Sequence, residues 1–297
     1  MKRRLRVPSV VVLPFGWLLV FFLAPFGIVA KISLSEPAVA QPPYRPLLEL
    51  TGGTAGWRTF LAGLGPENYA TLLSDPIYAR AATSSLAIAA LSTAILLAVG
   101  FPFALALARA APGWRPLLLA LVVVPFWTSL LIRVYAWIAI LRPDGFADQL
   151  LRSVGLSGAL LNTDAAIVLG AVYAYLPFMV LPLYASLERQ DPALLEAAAD
   201  LGASPWARFR TVTVPLAGPG IAAGSLLCFI PITGEFLLPD LLGGPDTLML
   251  GRVLWSEFFA NRDWPLAAAV ALVASAVLLG PILLFRHAET RRQEARA

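Results

Sequence analysis

Long uncharged runs separated by short polar stretches dominate the chain, and they set the first expectation. A bilayer core takes about 20 apolar residues in a helix. The first run, Pro8 to Ala30, has 23 residues without a charge and follows Lys2, Arg3, Arg4 and Arg6. A cleavable leader carries an apolar region of only about 7–15 residues. A retained first span is therefore expected, although Ala38-Val39-Ala40 has the small-residue look of a cleavage site. Further runs cover Ala81 to Ala108, Pro116 to Leu141, Ala165 to Leu187, Thr211 to Gly234 and Trp264 to Phe285. Arg133 interrupts the third toward its outer side, and Glu235 and Asp240 lie just beyond the fifth. The pattern predicts an all-α polytopic membrane protein, a single domain over 1–297 with six transmembrane helices.

The polar stretches between these runs carry turn signals. Pro42-Pro43 and Gly52-Gly53 mark loop within Lys31 to Arg80, where Asn68 to Tyr78 could form a short helix along the membrane surface. Gly243-Gly244-Pro245 marks the loop between the fifth and sixth runs. Six spans place both termini on one side, and Lys and Arg decide which. Segments 1–7, 109–115, 188–210 and 286–297 hold 13 of them, and 31–80, 142–164 and 235–263 hold 8. The first set, with both termini, is expected in the cytoplasm, and 31–80 becomes a periplasmic loop. Prolines 14, 25, 102, 125, 177, 182, 231 and 281 fall inside spans. Helices in lipid tolerate them when neighbours satisfy the freed carbonyls, which favours a packed bundle.

Composition agrees with a membrane protein and narrows its chemistry. Hydrophobic residues make up 59% and charged residues 13%, against roughly 25% charged in soluble domains. Mean hydropathy is +0.76. One Cys (Cys228) and one His (His287) cannot build a disulfide framework or a Cys/His zinc site. Cys228 reads as a small buried residue and His287 as a solvated one. The only lysines, Lys2 and Lys31, follow no Gly-rich loop, so a phosphate-binding loop is absent. No HExxH motif or nucleophile elbow is present either. The chain is expected to be non-catalytic, with no cofactor, metal or nucleic acid of its own. An ion-driven carrier would place carboxylates at midplane, and the spans between residues 8 and 234 contain none.

One polar stretch between two apolar runs stands out: Leu194 to Pro215, LLEAAADLGASPWARFRTVTVP. Asp191-Pro192 is a helix start, because Asp can accept from orphan amides and Pro at the first position loses no bond. Gly202 can take the left-handed conformation that ends a helix. Ser204-Pro205 repeats the start signal, so a second short helix is expected from Pro205 towards Val212. Leu194, Leu195, Ala198, Leu201, Trp206 and Phe209 would offer an apolar docking face. The order Glu196-Ala197-Ala198, then Gly202, then Val212-Thr213-Val214-Pro215 resembles the EAA loop of importer-type ABC permeases. The departure is Val212 and Val214 where that family has Ile and Leu. The resemblance implies that residues 188–214 are a cytoplasmic coupling loop. Glu196, Ala197, Ala198 and Gly202 would then meet a separate ATPase dimer.

The stretch YAYLPFMVLPLY from Tyr173 to Tyr184, Gly234-Glu235-Phe236, Pro239-Asp240-Leu241-Leu242-Gly243-Gly244 and Arg262-Asp263-Trp264-Pro265 resemble spermidine/putrescine-type permeases. Together with Ser129 to Tyr135 they cover most of the chain from Pro116 to Pro265. The resemblance implies the first of two paired permease subunits, embedded in inner-membrane lipid and served by an extracytoplasmic binding protein. Arg252 departs from it, standing where a small polar residue, usually Asn, is expected. Relatives of this architecture also import other amines, aminophosphonates or iron complexes. The expected outer segments hold 12 acidic against 8 basic residues, a balance that favours cation approach. Charges within spans face a cavity or a partner. Arg133, Tyr173, Glu235, Asp240 and Arg252 are accordingly expected along the solute path or gate. The alternative is a structural ion pair of Arg133 with Glu235 or Asp240.

Overall fold

The computed structural model describes residues 9–47, 53–153, 155 and 160–294. The chain divides into two compact units, one from Met1–Ala79 with Val253–Val277 and one from Arg80–Arg252 with Leu278–Ala297. Helices make up nearly all the regular structure; the described strands are one pair of two-residue segments.

In the first unit, helices α1 (Ser9–Leu18) and α2 (Ala24–Ser33) run on through a π turn at Leu19–Leu23. Every described residue from 12 to 28 is exposed, and most are large and apolar, so this surface needs lipid or another apolar surface. Strands β1 (Glu36–Pro37) and β2 (Tyr44–Arg45) pair antiparallel. Helices α3 (Gly53–Ala62) and α4 (Glu67–Ser74) follow. The side-chain amide of buried Asn68 donates to the carbonyls of Ser33 and Ser35 at 2.9 and 2.8 Å. It thereby satisfies oxygens that the end of α2 leaves free. The Lys31 ammonium lies 4.2 Å from the Tyr44 ring centroid and donates to the Pro46 carbonyl. The polar stretch expected as loop is thus tied down, and its surface helix is shorter than Asn68 to Tyr78, because Asp75 is extended.

Helix α5 (Pro76–Arg109) is long enough to cross a bilayer, as are residues Val12–Ser33 and helix α9 (Asp164–Glu188). The third expected span is not one helix. Helix α6 (Arg115–Val123) passes into a 3₁₀ turn at Val124–Trp127, and α7 (Leu130–Leu141) leaves at 87°. Thr128 and Ser129 are both extended there, which breaks the hydrogen-bond ladder. The Thr128 hydroxyl donates to the Pro125 carbonyl at 2.7 Å, replacing a lost partner. Helix α8 (Phe146–Ser153) closes the following loop.

The fifth expected span is bent as well. After helices α10 (Pro192–Asp200) and α11 (Pro205–Arg208), a π turn at Phe209–Thr213 leads into α12 (Val214–Leu216). Helix α13 (Gly218–Thr233) then departs at 64°. Counting each bent pair as one span gives up to five segments among the described residues that are long and apolar enough to cross a membrane. The sixth run lies in one helix, Trp264–Glu294, whose apolar part is Trp264–Gly280.

The core of the second unit forms where α5 and α13 meet α9. Leu96, Ile167, Met179, Val180, Leu183 and Ile232 are fully enclosed. Small residues allow the approach. A Cβ at Gly220 would lie 2.6 Å from the Ser186 Cβ and 2.7 Å from the Pro182 carbonyl oxygen. One at Gly224 would lie 2.9 Å from the Met179 sulfur. Cys228 is buried, as expected, with its sulfur 3.6 Å from the Tyr175 carbonyl.

Candidate functional site

Residues 191–208 fold as two short helices with a tight bend, and local chemistry explains each boundary. The Asp191 carboxylate accepts from the Ala193 amide at 2.9 Å, and the Ser204 hydroxyl accepts from Ala207 at 3.2 Å. Both side chains satisfy amides that a first helical turn leaves orphaned. Gly202 has φ +80°. Around it the Ala203 amide donates to the Ala198 carbonyl at 3.0 Å and the Gly202 amide to Ala199 at 2.8 Å. This is the paired closure of a Schellman motif, which favours glycine at its left-handed position.

The bend displays apolar side chains. Leu201 is 89% and Trp206 68% exposed, and Leu194 is exposed beside Glu196 and Ala197. Phe209 turns the other way: its ring meets Phe101 of α5 edge-on at 5.5 Å and stacks on Trp206 at 5.4 Å. One aromatic pair therefore connects the exposed face to the bundle. Arg115 pairs with Glu188 at 3.2 Å and donates to the Ala108 and Ala110 carbonyls, fixing the end of α5 to the start of the polar stretch.

The five residues expected along a solute path fall into three separate groups. Arg133, 9% exposed, lies 5.7 Å from the Phe126 ring and 5.9 Å from the Tyr173 ring. It lines an apolar cavity of ≈ 450 Å³ with Phe103, Leu121, Pro125 and Pro177, and its Nε has no partner. Tyr173 also meets Trp137 edge-on at 5.6 Å. Glu235 accepts from the Tyr175 hydroxyl at 2.6 Å and from the Leu237 amide at 3.1 Å. Asp240, in helix α14 (Leu237–Leu242), sits 3.6 Å from Arg252. Arg252, in helix α15 (Leu250–Trp255), also donates to the carbonyls of Gly244 and Thr247 at 2.8 and 3.0 Å.

The alternative, an ion pair of Arg133 with Glu235 or Asp240, is not among the ion pairs of the described residues; each group has a different neighbour. Helical geometry accounts for the separation. Tyr173 and Tyr175 stand two residues apart on α9, about 200° around the axis, so one faces Arg133 and the other Glu235. That spacing was readable in the chain, yet it points to Tyr175 only once Glu235 is known to lie on its side. Thr247 is a second residue that pattern reading missed. Its hydroxyl donates to Asp164 at 3.0 Å and accepts from the Gly244 amide at 3.2 Å, holding the loop that Arg252 clamps.

Comparison with known proteins adds the following. Residues 7–292 match the model of a family described as binding-protein-dependent transport system inner membrane component. The spermidine/putrescine transport system permease protein PotB of Haemophilus influenzae is 39% identical over 277 residues, covering 92% of this chain and 91% of that protein. PotB of Escherichia coli K12 is 42% identical over 221 residues, 73% of this chain and 80% of that one. The molybdenum transport system permease protein ModB of Azotobacter vinelandii is 33% identical over 211 residues, 71% of this chain and 93% of that protein. Among solved structures, a bacterial ABC transporter involved in the import of the acidic polysaccharide alginate superposes with TM-score 0.72. It covers 95% of this chain and 94% of that chain at 19% identity, a likeness of fold.

Proposed function

The chain belongs to the binding-protein-dependent transport system inner membrane components, and from that premise we propose that it is the permease subunit of an ATP-driven importer of a spermidine- or putrescine-like polyamine. The observation that carries the substrate class is the 39% identity to a spermidine/putrescine permease across nine-tenths of both chains. In this reading six spans cross the inner membrane with both termini in the cytoplasm, the first loop (31–80) is periplasmic and 188–214 is the coupling loop. A homologous second permease, or a second copy, completes the pathway. A periplasmic binding protein delivers the solute, and a separate ATPase dimer drives the cycle.

The geometry supports this assignment of roles. The bend at Gly202 exposes Glu196, Ala197, Leu201 and Trp206, with Ala198 half-buried beside them, as a docking face for the ATPase. Glu235, Asp240, Arg252 and the Arg133–Tyr173 pair are the polar groups that a solute would meet. Arg133 covers aromatic faces that could otherwise hold an amine, so the carboxylates are the better contacts for a polycation. Another small solute on the same architecture is the second reading, favoured by the extra cation Arg252 beside Asp240. Reconstitution with the partner permease, ATPase and binding protein tests the proposal. ATP-dependent uptake of labelled spermidine or putrescine is expected, and coupled uptake of a different solute alone would select the second reading.

A further inference from the structure

Beneath the helix pair 191–208 lies a cavity of ≈ 330 Å³ lined by Arg109, Leu195, Pro205, Arg208, Phe209 and Thr213. It is separate from the residues assigned to solute and, Arg109 apart, is built from the 188–214 stretch. Two polar atoms of its lining residues are buried with nothing to bond. The Arg208 Nε is buried without a hydrogen-bond partner. Thr213 is 1% exposed and its hydroxyl is also unpartnered. A threonine hydroxyl in a helix can bond back to a carbonyl one turn earlier; within the π turn at Phe209–Thr213 it does not. No salt bridge among the described residues takes up Arg109 or Arg208.

The buried Arg208 Nε and Thr213 hydroxyl thus belong to residues that line one small space, with the exposed Arg109 at its side. Guanidinium stays charged at any physiological pH and presents several donors in a fixed fork that matches oxyanions. A buried donor left unmade is costly. An oxyanion in the cavity would supply the missing acceptor. We infer that this cavity is a binding site for a phosphate group, held by Arg109, Arg208 and Thr213. The phosphate comes either from free inorganic phosphate or from the headgroup of an anionic phospholipid. Both sources fit, because Arg109 ends the spanning helix α5, where lipid phosphates lie. A bound phosphate would tie the end of α5 to the π turn that follows α11, fixing the helix pair against the bundle. The site stands on this chain's own residues and does not depend on the solute being a polyamine.

The test uses the full chain, purified. Its thermal unfolding midpoint is measured in neutral detergent with sodium phosphate against sodium chloride at equal ionic strength. It is measured again in bilayer discs of phosphatidylcholine with and without phosphatidylglycerol. Ligands that bind only the folded state raise the midpoint. A rise with phosphate in detergent assigns free phosphate; a rise only with phosphatidylglycerol assigns the headgroup. In either case Arg208→Gln and Thr213→Val should weaken the apparent affinity by about tenfold, the loss expected for one charge-assisted bond. Thr213→Val keeps the side-chain shape, so it separates lost binding from lost folding. Arg210→Gln, next to the site but not lining it, should leave the rise intact. No rise with either anion overturns the inference, and so does a rise that Arg210→Gln weakens as much as Arg208→Gln.

Discussion

Two glycines in the second unit serve opposite needs, and the regions around them differ in the same way. At Gly202 nothing lies within 4 Å of where a Cβ would be, yet φ is +80°. At Gly220 a Cβ would stand 2.6 Å from Ser186 and 2.7 Å from the Pro182 carbonyl. The helix pair 191–208 needs a backbone conformation, whereas the α9–α13 seam needs room. The pair is shaped by its own residues and leaves its surface free for a partner. The seam is shaped by neighbours brought from about 40 residues away.

The sharpest way to break this contrast is to add volume at the seam. Gly220→Val pushes a branched side chain against a backbone carbonyl and the Cβ of Ser186, neither of which can move cheaply. Overpacking of this kind costs about 1–3 kcal/mol, and this site belongs at the upper end. A clear drop in the unfolding midpoint of the purified chain is expected. An unchanged midpoint would mean that α9 and α13 do not meet as closely as described.

The second prediction stays inside the bundle and concerns a bond instead of volume. Tyr175→Phe removes the donor at 2.6 Å from Glu235 and leaves the Leu237 amide as its partner. A hydrogen bond to a charged group contributes about 1.5–3 kcal/mol, and the retained amide bond argues for the lower end. Tyr173→Phe keeps its ring against Arg133 and Trp137 and should cost less. Equal losses for the two variants would contradict the separation of the tyrosines on opposite faces of α9.

This contrast also explains what could be read from the amino-acid order. The starts of both helices and the bend between them were legible, because Asp191, Ser204 and Gly202 each act on amides or carbonyls no more than five residues away. The end of the second, expected near Val212, was not, since α11 stops at Arg208 and the chain runs on through a π turn to Leu216. The long apolar runs were legible for a similar reason: length and lack of charge decide them. The break at Thr128–Ser129 was not. Pro125 hints at it, but Pro102 lies inside an unbroken α5 and Pro177 and Pro182 inside α9, so proline alone does not mark a bend in a span. The charged residues were found, but their neighbours were not. Glu235 meets Tyr175 across 60 residues of chain, and Arg133 meets rings instead of a carboxylate. Such pairings are set by packing, which charge counting does not contain.

A third prediction returns to Gly202. Ala there must hold a left-handed backbone, at about 1 kcal/mol, while touching nothing. Gly202→Ala should therefore lower the midpoint less than Gly220→Val does. Gly202→Asp adds a charge to the proposed docking face at a similar backbone cost. In reconstituted vesicles it should leave ATP hydrolysis in place and abolish coupled uptake. Normal uptake by a folded Gly202→Asp chain would detach this bend from energy coupling.

The smallest effect on stability, and the most specific one on transport, is expected at Arg252. Its guanidinium clamps the carbonyls of Gly244 and Thr247 and sits 3.6 Å from Asp240. Thr247 is also held by Asp164, and the Gly244 amide by Thr247, so the loop keeps part of its support when Arg252 is lost. Asp240 is half exposed, and an exposed ion pair contributes under about 1 kcal/mol. Arg252→Asn should thus shift the midpoint slightly. It also frees the Asp240 carboxylate from a cation that competes with any amine arriving there. If Asp240 meets a polycationic solute, the variant should take up spermidine with a lower KM and an unchanged response to ATP. Asp240→Asn in the same background should cancel that gain. If Arg252→Asn leaves KM unaltered while the midpoint moves, the pair belongs with the seam as packing, and the chain's contact with solute must be sought at Glu235 instead.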